Sequence, residues 1–366
     1  MASLPTSAEL FTLLEEKRGS DLHLVVGSPP QIRIDGHLVP LEAPVLTPDS
    51  VKDLCHSLLT PKQKKDLETR NELDFSFSMG ASRIRANLYH DQGNLAAALR
   101  RIPAKIPSME EIGLPAVVQQ LISKPHGLIL VTGPTGSGKS TTIASMIESI
   151  NETRHDHIMT IEDPIEYLHP HKKGLVNQRE IGQDTEDFKT ALKYILRQDP
   201  DVILIGEMRD LETIAAAITT AETGHLVFAT LHTNTAAQAI NRIIDVFPPH
   251  QQAQVRTQLS FILEAVLTET LLPKIGGGRI LAMEILIPNS AVRNLIREDK
   301  SHQIPATMQV GQAESGMQTM NQALAQLVKK GVVSLEEAKG HATDPEEFRK
   351  LVGGTPTPLR SAKMNY

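Results

Sequence analysis

The chain has 366 residues, 40% apolar and 22% charged, with a net charge of −6, an ordinary balance for a soluble protein of two or three domains. That charge excludes a global basic field for nucleic acid, and one cysteine, Cys55, excludes an internal disulfide or a Cys-rich zinc site. The opening "MASLPTSAELF" has no basic region followed by an apolar one, and no run approaches the ~18 apolar residues of a membrane-spanning helix. A cytosolic chain without membrane insertion is therefore expected.

Residues 1–100 predict a small α+β domain. "AELFTLLEEKRG" (8–19) has helical periodicity and a stop at Gly19. "DLHLVVG" (21–27) and "QIRIDGHLVPL" (31–41) alternate as strands do, and Asp35-Gly36 suits a tight hairpin turn. "ELDFSFS", "SRIRANLYH" and "NLAAALRRI" add three more strand segments, so a mostly antiparallel sheet with helices on one face is expected. Cys55, beside Leu54 and Leu58, reads as a small buried hydrophobe. "RIPAKIPSMEEIGLP" (101–115) carries Pro103, Pro107 and Pro115 and reads as an interdomain linker, stiffer than a Gly/Ser one.

Residues 116–289 alternate strand and helix. The strand segments are "GLILVTG" (127–133), "HIMTIED" (157–163), "DVILIGE" (201–207), "HLVFATL" (225–231) and "RILAMEILI" (279–287). Apolar runs with helices between them predict a largely parallel sheet covered on both faces. Residues 290–352 read as helical, and the Gly/Pro-rich tail 353–366 reads as disordered.

The strongest motif is "GPTGSGKST": Gly133, Pro134, Thr135, Gly136, Ser137, Gly138, Lys139, Ser140 and Thr141. It fits G-x-x-x-x-G-K-[ST] with a strand before it and a helix after it. The glycines let backbone N–H groups face phosphates at a helix N-terminus, Lys139 suits the β- and γ-phosphates, and the Ser140 hydroxyl suits Mg²⁺. A nucleoside triphosphate, ATP, with Mg²⁺ is the expected ligand.

Carboxylates follow at two strand ends. "IEDPIE" supplies Glu162, Asp163 and Glu166, and "ILIGEMRD" supplies Glu207, preceded by Gly206 where many P-loop enzymes carry a metal-binding aspartate. One acid can orient water and another hold the metal, and spacing alone leaves open which is the base. "HLVFATLHT" places His225 and His232 at two ends of one strand, either as structural residues or as phosphate sensors. "HPHKK" (169–173) reads as a solvated loop. Arg83, Arg85, Arg100 and Arg101 lie on two adjacent strands, either as charge on a wet sheet face or as fingers for a γ-phosphate.

Together "GPTGSGKSTT", "IMTIEDPIEY", "ILIGEMRD", "TGHLVFATLHTNTA" and the upstream arginines resemble the secretion-motor ATPase superfamily, and most closely its type IV pilus retraction branch. The resemblance spans about residues 5–345. It implies a PAS-like N-terminal domain, a flexible linker and a RecA-like ATPase domain with C-terminal helices, assembled as a homo-hexamer. It implies Glu166 and Glu207 as the catalytic pair, with Glu162 beside them, His232 near the nucleotide, and Arg85 and Arg100 as γ-phosphate arginines. It further implies domain closure on ATP that drives an inner-membrane platform protein beneath the pilus. A chain that begins at the PAS-like domain and lacks a tetracysteine zinc site resembles the retraction branch rather than extension motors. "AVRNLIRE" (291–298) resembles a helix that this branch needs for retraction, whereas Pro305 departs from an expected aromatic. The alternatives are an accessory retraction paralogue, a related secretion motor, a P-loop kinase for small molecules, and an inactive nucleotide-sensing scaffold. The kinase would want an Arg-rich lid, and none stands out. Intact Lys139, Ser140 and Glu207 oppose the scaffold.

Overall fold

A computed structural model describes residues 4–34, 36–79, 82–102, 105–310 and 316–353. Asp35 of the expected hairpin turn, Pro103 of the expected linker and residues 354–366 of the expected tail lie outside them. The chain divides into two compact units, one of residues 1–106 with 164–169, the other of residues 107–163 with 170–366.

The first unit is built on a six-stranded sheet in the order β3-β2-β1-β6-β5-β4. Its strands are β1 (Asp21–Leu24), β2 (Gln31–Ile34), β3 (His37–Pro40), β4 (Glu72–Met79), β5 (Ser82–Asp91) and β6 (Asn94–Ile102), and every pairing is antiparallel. The segment 31–41 is thus two strands folded on each other, and Gly36 (φ 86°) adopts the left-handed backbone this turn needs. Helix α1 (Ser7–Glu16) starts at a capping box in which Thr6 accepts from Glu9 N–H and Glu9 reaches back to Thr6. Two further helices, α2 (Pro48–His56) and α3 (Pro61–Arg70), repeat that device with Thr47 and Thr60, each followed by a proline in the first turn. Leu10, Leu14, Val51, Leu54 and Cys55 from these helices share one core with Ile32, Ile84 and Leu99 of the sheet. Cys55 is the buried hydrophobe expected, and burial pushes its thiol up to about 12.

The second unit has a seven-stranded sheet in the order β13-β12-β7-β11-β10-β8-β9. Its strands are β7 (Gly127–Thr132), β8 (His157–Glu162), β9 (Leu175–Glu180), β10 (Val202–Ile205), β11 (Leu226–Leu231), β12 (Leu263–Pro273) and β13 (Arg279–Leu286). All neighbours run parallel except β12 and β13. Every residue of β7, β10 and β11 is buried, as apolar runs between two helical layers require. One apolar cluster joins one sheet face to α4 (Val117–Leu121) and α5 (Lys139–Thr153). Another joins the opposite face to α6 (Phe188–Ile195), α7 (Leu211–Glu222), α8 (Ala236–Asp245) and α9 (Pro249–Ile262).

Two of these strands lie outside the segments read as strands from sequence. β9, "LVNQRE", is a polar edge strand that lacks an apolar run. β12 continues directly from α9, so no Gly or Pro marks the switch from helix to strand. Beyond β13, α10 (Ser290–Arg297) is capped by Asn289, whose side chain accepts from Val292 N–H at 3.0 Å. Arg293 fastens α10 to the end of α9 through the Ser260 and Phe261 carbonyls and pairs with Glu264. Pro305 sits in the first turn of α11 (Ile304–Val310), where its missing N–H disrupts no helix bond.

Candidate active site

The parallel strands deliver their C-terminal ends to one edge of the sheet. In spatial order β7, β11, β10 and β8, these ends carry the phosphate loop, His232, Glu207 and Glu162. Ligands bind at such an edge because loops diverge there and a helix N-terminus points at it.

The phosphate loop joins β7 to α5. Gly133 (φ 140°) and Gly138 (φ 108°) both occupy backbone that other residues resist, and a Cβ on Gly133 would lie 2.5 Å from the Glu269 carbonyl oxygen. Lys139 is buried and donates to the Gly133 and Pro134 carbonyls at 2.8 and 3.0 Å. Ser137 is 3% exposed, yet its Oγ has no hydrogen-bond partner. A buried, unsatisfied donor inside a glycine cradle, with an ammonium held at its mouth, fits a bound phosphate chain. Ser140 exposes its side chain in the first turn of α5, where it is free of the core.

Glu207 follows β10. Arg209 grips its carboxylate with two bonds of 2.7 Å, and His232 Nε2 lies 3.2 Å from Oε1. The Arg209 guanidinium holds the Glu207 carboxyl below the usual carboxylate range, against an upward push from burial. The structure thus joins Glu207 and His232, two residues singled out from sequence, and adds Arg209. The signal for Arg209 was its place two residues after the acid.

Gly206 has a steric cause. A Cβ there would lie 3.0 Å from the Ile161 carbonyl oxygen and 3.2 Å from Glu162 Cα, while Gly206 N–H donates to that same carbonyl at 2.8 Å. A side chain at this point would need β8 to give by a few tenths of an ångström. Glu162, at the end of β8, accepts from Thr160 Oγ1 at 2.6 Å and from Gln178 Nε2 at 3.0 Å, the latter from the edge strand β9.

Glu166 is placed differently. It is half-buried in the segment 164–169, which groups with the first unit, where Arg83 Nε donates to the Ile165 carbonyl at 3.2 Å. In that unit Arg85 and Arg100 are direct cross-strand neighbours on β5 and β6. Each holds an acid of the same sheet: Arg85 bonds Asp74 at 2.9 Å and Arg100 bonds Asp21 at 2.8 Å. Burial pushes the Asp21 carboxyl up, but hydrogen bonds from Arg100 and Ser20 outweigh it and hold the group below its ordinary value. Arg101 Nε donates to the Gly19 carbonyl.

His225 caps the opposite end of β11, against the Thr220 carbonyl, away from the loop edge. The "HPHKK" loop is pinned by Lys172, which pairs with Glu148 and Glu152, and no cluster that could hold a metal occurs among the described residues.

This sheet, loop and strand-end acid define a secretion-type P-loop ATPase, and the chain belongs to the family of type II/IV secretion system proteins, which matches residues 104–340. It is 50% identical to the type IV pilus retraction ATPase PilT of Pseudomonas aeruginosa over 93% of this chain and 99% of that one. A twitching motility protein of Neisseria gonorrhoeae is 49% identical over 87% of this chain and 86% of the relative. The crystal structure of the pilus retraction motor PilT with bound ADP superposes with a TM-score of 0.90 at 52% identity, covering 94% of this chain and 99% of that one.

Proposed function

We propose that this protein is a Mg²⁺-dependent ATPase that powers type IV pilus retraction and twitching motility. The observation that carries the reading is 50% identity to a pilus retraction ATPase along 93% of the chain. The loop Gly133–Thr141 would hold the triphosphate, Lys139 would leave the Gly133 and Pro134 carbonyls for it, and Ser140 would hold Mg²⁺. The ion, when bound, neutralises charge on the phosphate oxygens. Glu207 is ionised and anchored by Arg209, which suits holding metal-bound water more than carrying a proton near neutral pH. That division of labour leaves Glu166 as the proposed base, while Glu162 and His232 flank Glu207 on the strand-end edge. Arg85 and Arg100 are the proposed γ-phosphate arginines.

In this reading six copies form a ring in the cytoplasm at the inner-membrane pilus machine, and domain closure drives the platform protein. Deleting the gene should leave cells piliated but unable to twitch, scored by electron microscopy and stab-plate motility. Loss of pili would instead assign the chain to pilus assembly.

A further inference from the structure

Strand β12 passes directly behind the phosphate loop, and packing against its neighbours buries an ionisable side chain there, Glu269. The side chain is 1% exposed, and neither carboxyl oxygen has a partner at full hydrogen-bond geometry, although the Thr142 hydroxyl of α5 faces the group. A Cβ on Gly138 would lie 3.5 Å from Glu269 Oε2, so the carboxyl backs one glycine of the loop while the main-chain carbonyl backs Gly133.

The surroundings are sparse in charge. Burial pushes the carboxyl's pKa up to about 8 and prevails over the Thr142 hydroxyl and the Lys139 charge of α5, which draw it down. Met283 of β13 pairs with Glu269, and Met283 and Val131 of β7 belong to the apolar cluster on the α5 side. The imidazole of His341 lies by Thr270, the next residue, whose side chain alternates to the other face of the sheet.

A phosphate chain on the loop brings negative charge toward this carboxyl and favours its protonated form. Protonated, Glu269 neither repels the phosphates nor competes for Lys139. Ionised, it does both. We propose that Glu269 is a positioning residue of the phosphate site, holding a proton behind the loop while nucleotide is bound and drawing Lys139 back when that proton is lost. The proton comes from solvent as nucleotide binds and returns to it on release, with no other bond made or broken. This inference rests on the nucleotide-binding reading above.

The test uses the full chain and ADP, whose phosphates are fully ionised above about pH 7.5 by ordinary phosphate chemistry. In the unaltered protein, affinity for ADP should weaken by up to about tenfold per pH unit as Glu269 ionises. In Glu269→Gln, which keeps the shape without the charge, the affinity should stay flat across the same range. Calorimetry on the unaltered chain near pH 8 should show a binding heat that varies with the ionisation enthalpy of the buffer, reporting proton uptake. Parallel pH profiles in the two proteins would overturn the proposal. If the variant does not fold, a buffer-independent heat overturns it by itself. Failure of the unaltered chain to bind ADP at any pH would instead overturn the nucleotide-binding reading and this inference with it.

Discussion

At the scale of single residues, Glu207 is the acid that the sheet edge equips most completely. Its carboxylate is ionised, gripped by Arg209 on both oxygens and close to His232. Glu207→Gln should therefore bind ADP nearly as the unaltered chain does yet lose at least about 10²-fold in phosphate release. Turnover that survives this change would return Glu207 to a structural role. Arg209→Ala removes the main cause of the lowered Glu207 pKa. The acid limb of the pH–rate profile should then move toward higher pH, because the carboxylate becomes easier to protonate. An unmoved limb would mean that this carboxylate does not limit the rate.

At the scale of elements, the end of β10 is tightly packed where many P-loop enzymes carry an aspartate. β8 and β10 converge so closely that a side chain at position 206 meets the main chain of Ile161 and Glu162. Gly206→Ala should cost about 1–3 kcal/mol through overpacking, read from the urea midpoint, and should slow hydrolysis by shifting Glu162. An unaltered midpoint would show that β8 yields without strain. The strand segment itself was legible from "DVILIG", because an apolar run between helical segments has few other uses in this fold. The steric reason for Gly206 was not, since it depends on a strand about forty residues earlier in the chain.

At the scale of the molecule, the acids of "IEDPIE" fall in different units. Glu162 and Asp163 belong with the strand-end edge, and Glu166 belongs with the unit that carries Arg83, Arg85 and Arg100. The five residues from Glu162 to Glu166 thus supply acids to two units. Chain continuity does not require shared surroundings, and the segment between Pro164 and His169 binds Arg83 instead. Arg100 is 70% exposed and free to reach another partner, while Asp21, 10% exposed, would keep Ser20 and Arg33. On the proposed role of Arg100 as a γ-phosphate donor, Arg100→Ala should slow ATP hydrolysis about 10-fold or more with little change in ADP affinity. An unchanged rate would leave Arg100 as a partner of Asp21 alone.

The sequence by itself determined the chemistry of the phosphate loop and the α/β alternation around it. A glycine loop needs local backbone freedom, and buried parallel strands need apolar runs, so both are written in neighbouring residues. Tertiary structure decided the polar edge strand β9, the strand β12 and the placement of Glu269. "LTETLL" reads as an ordinary half-polar stretch, and only β7, β13 and α5, brought in from distant positions, turn its central acid into a dry carboxyl behind the nucleotide loop. Burial is a property of what packs around a residue, and that information is spread along the whole chain.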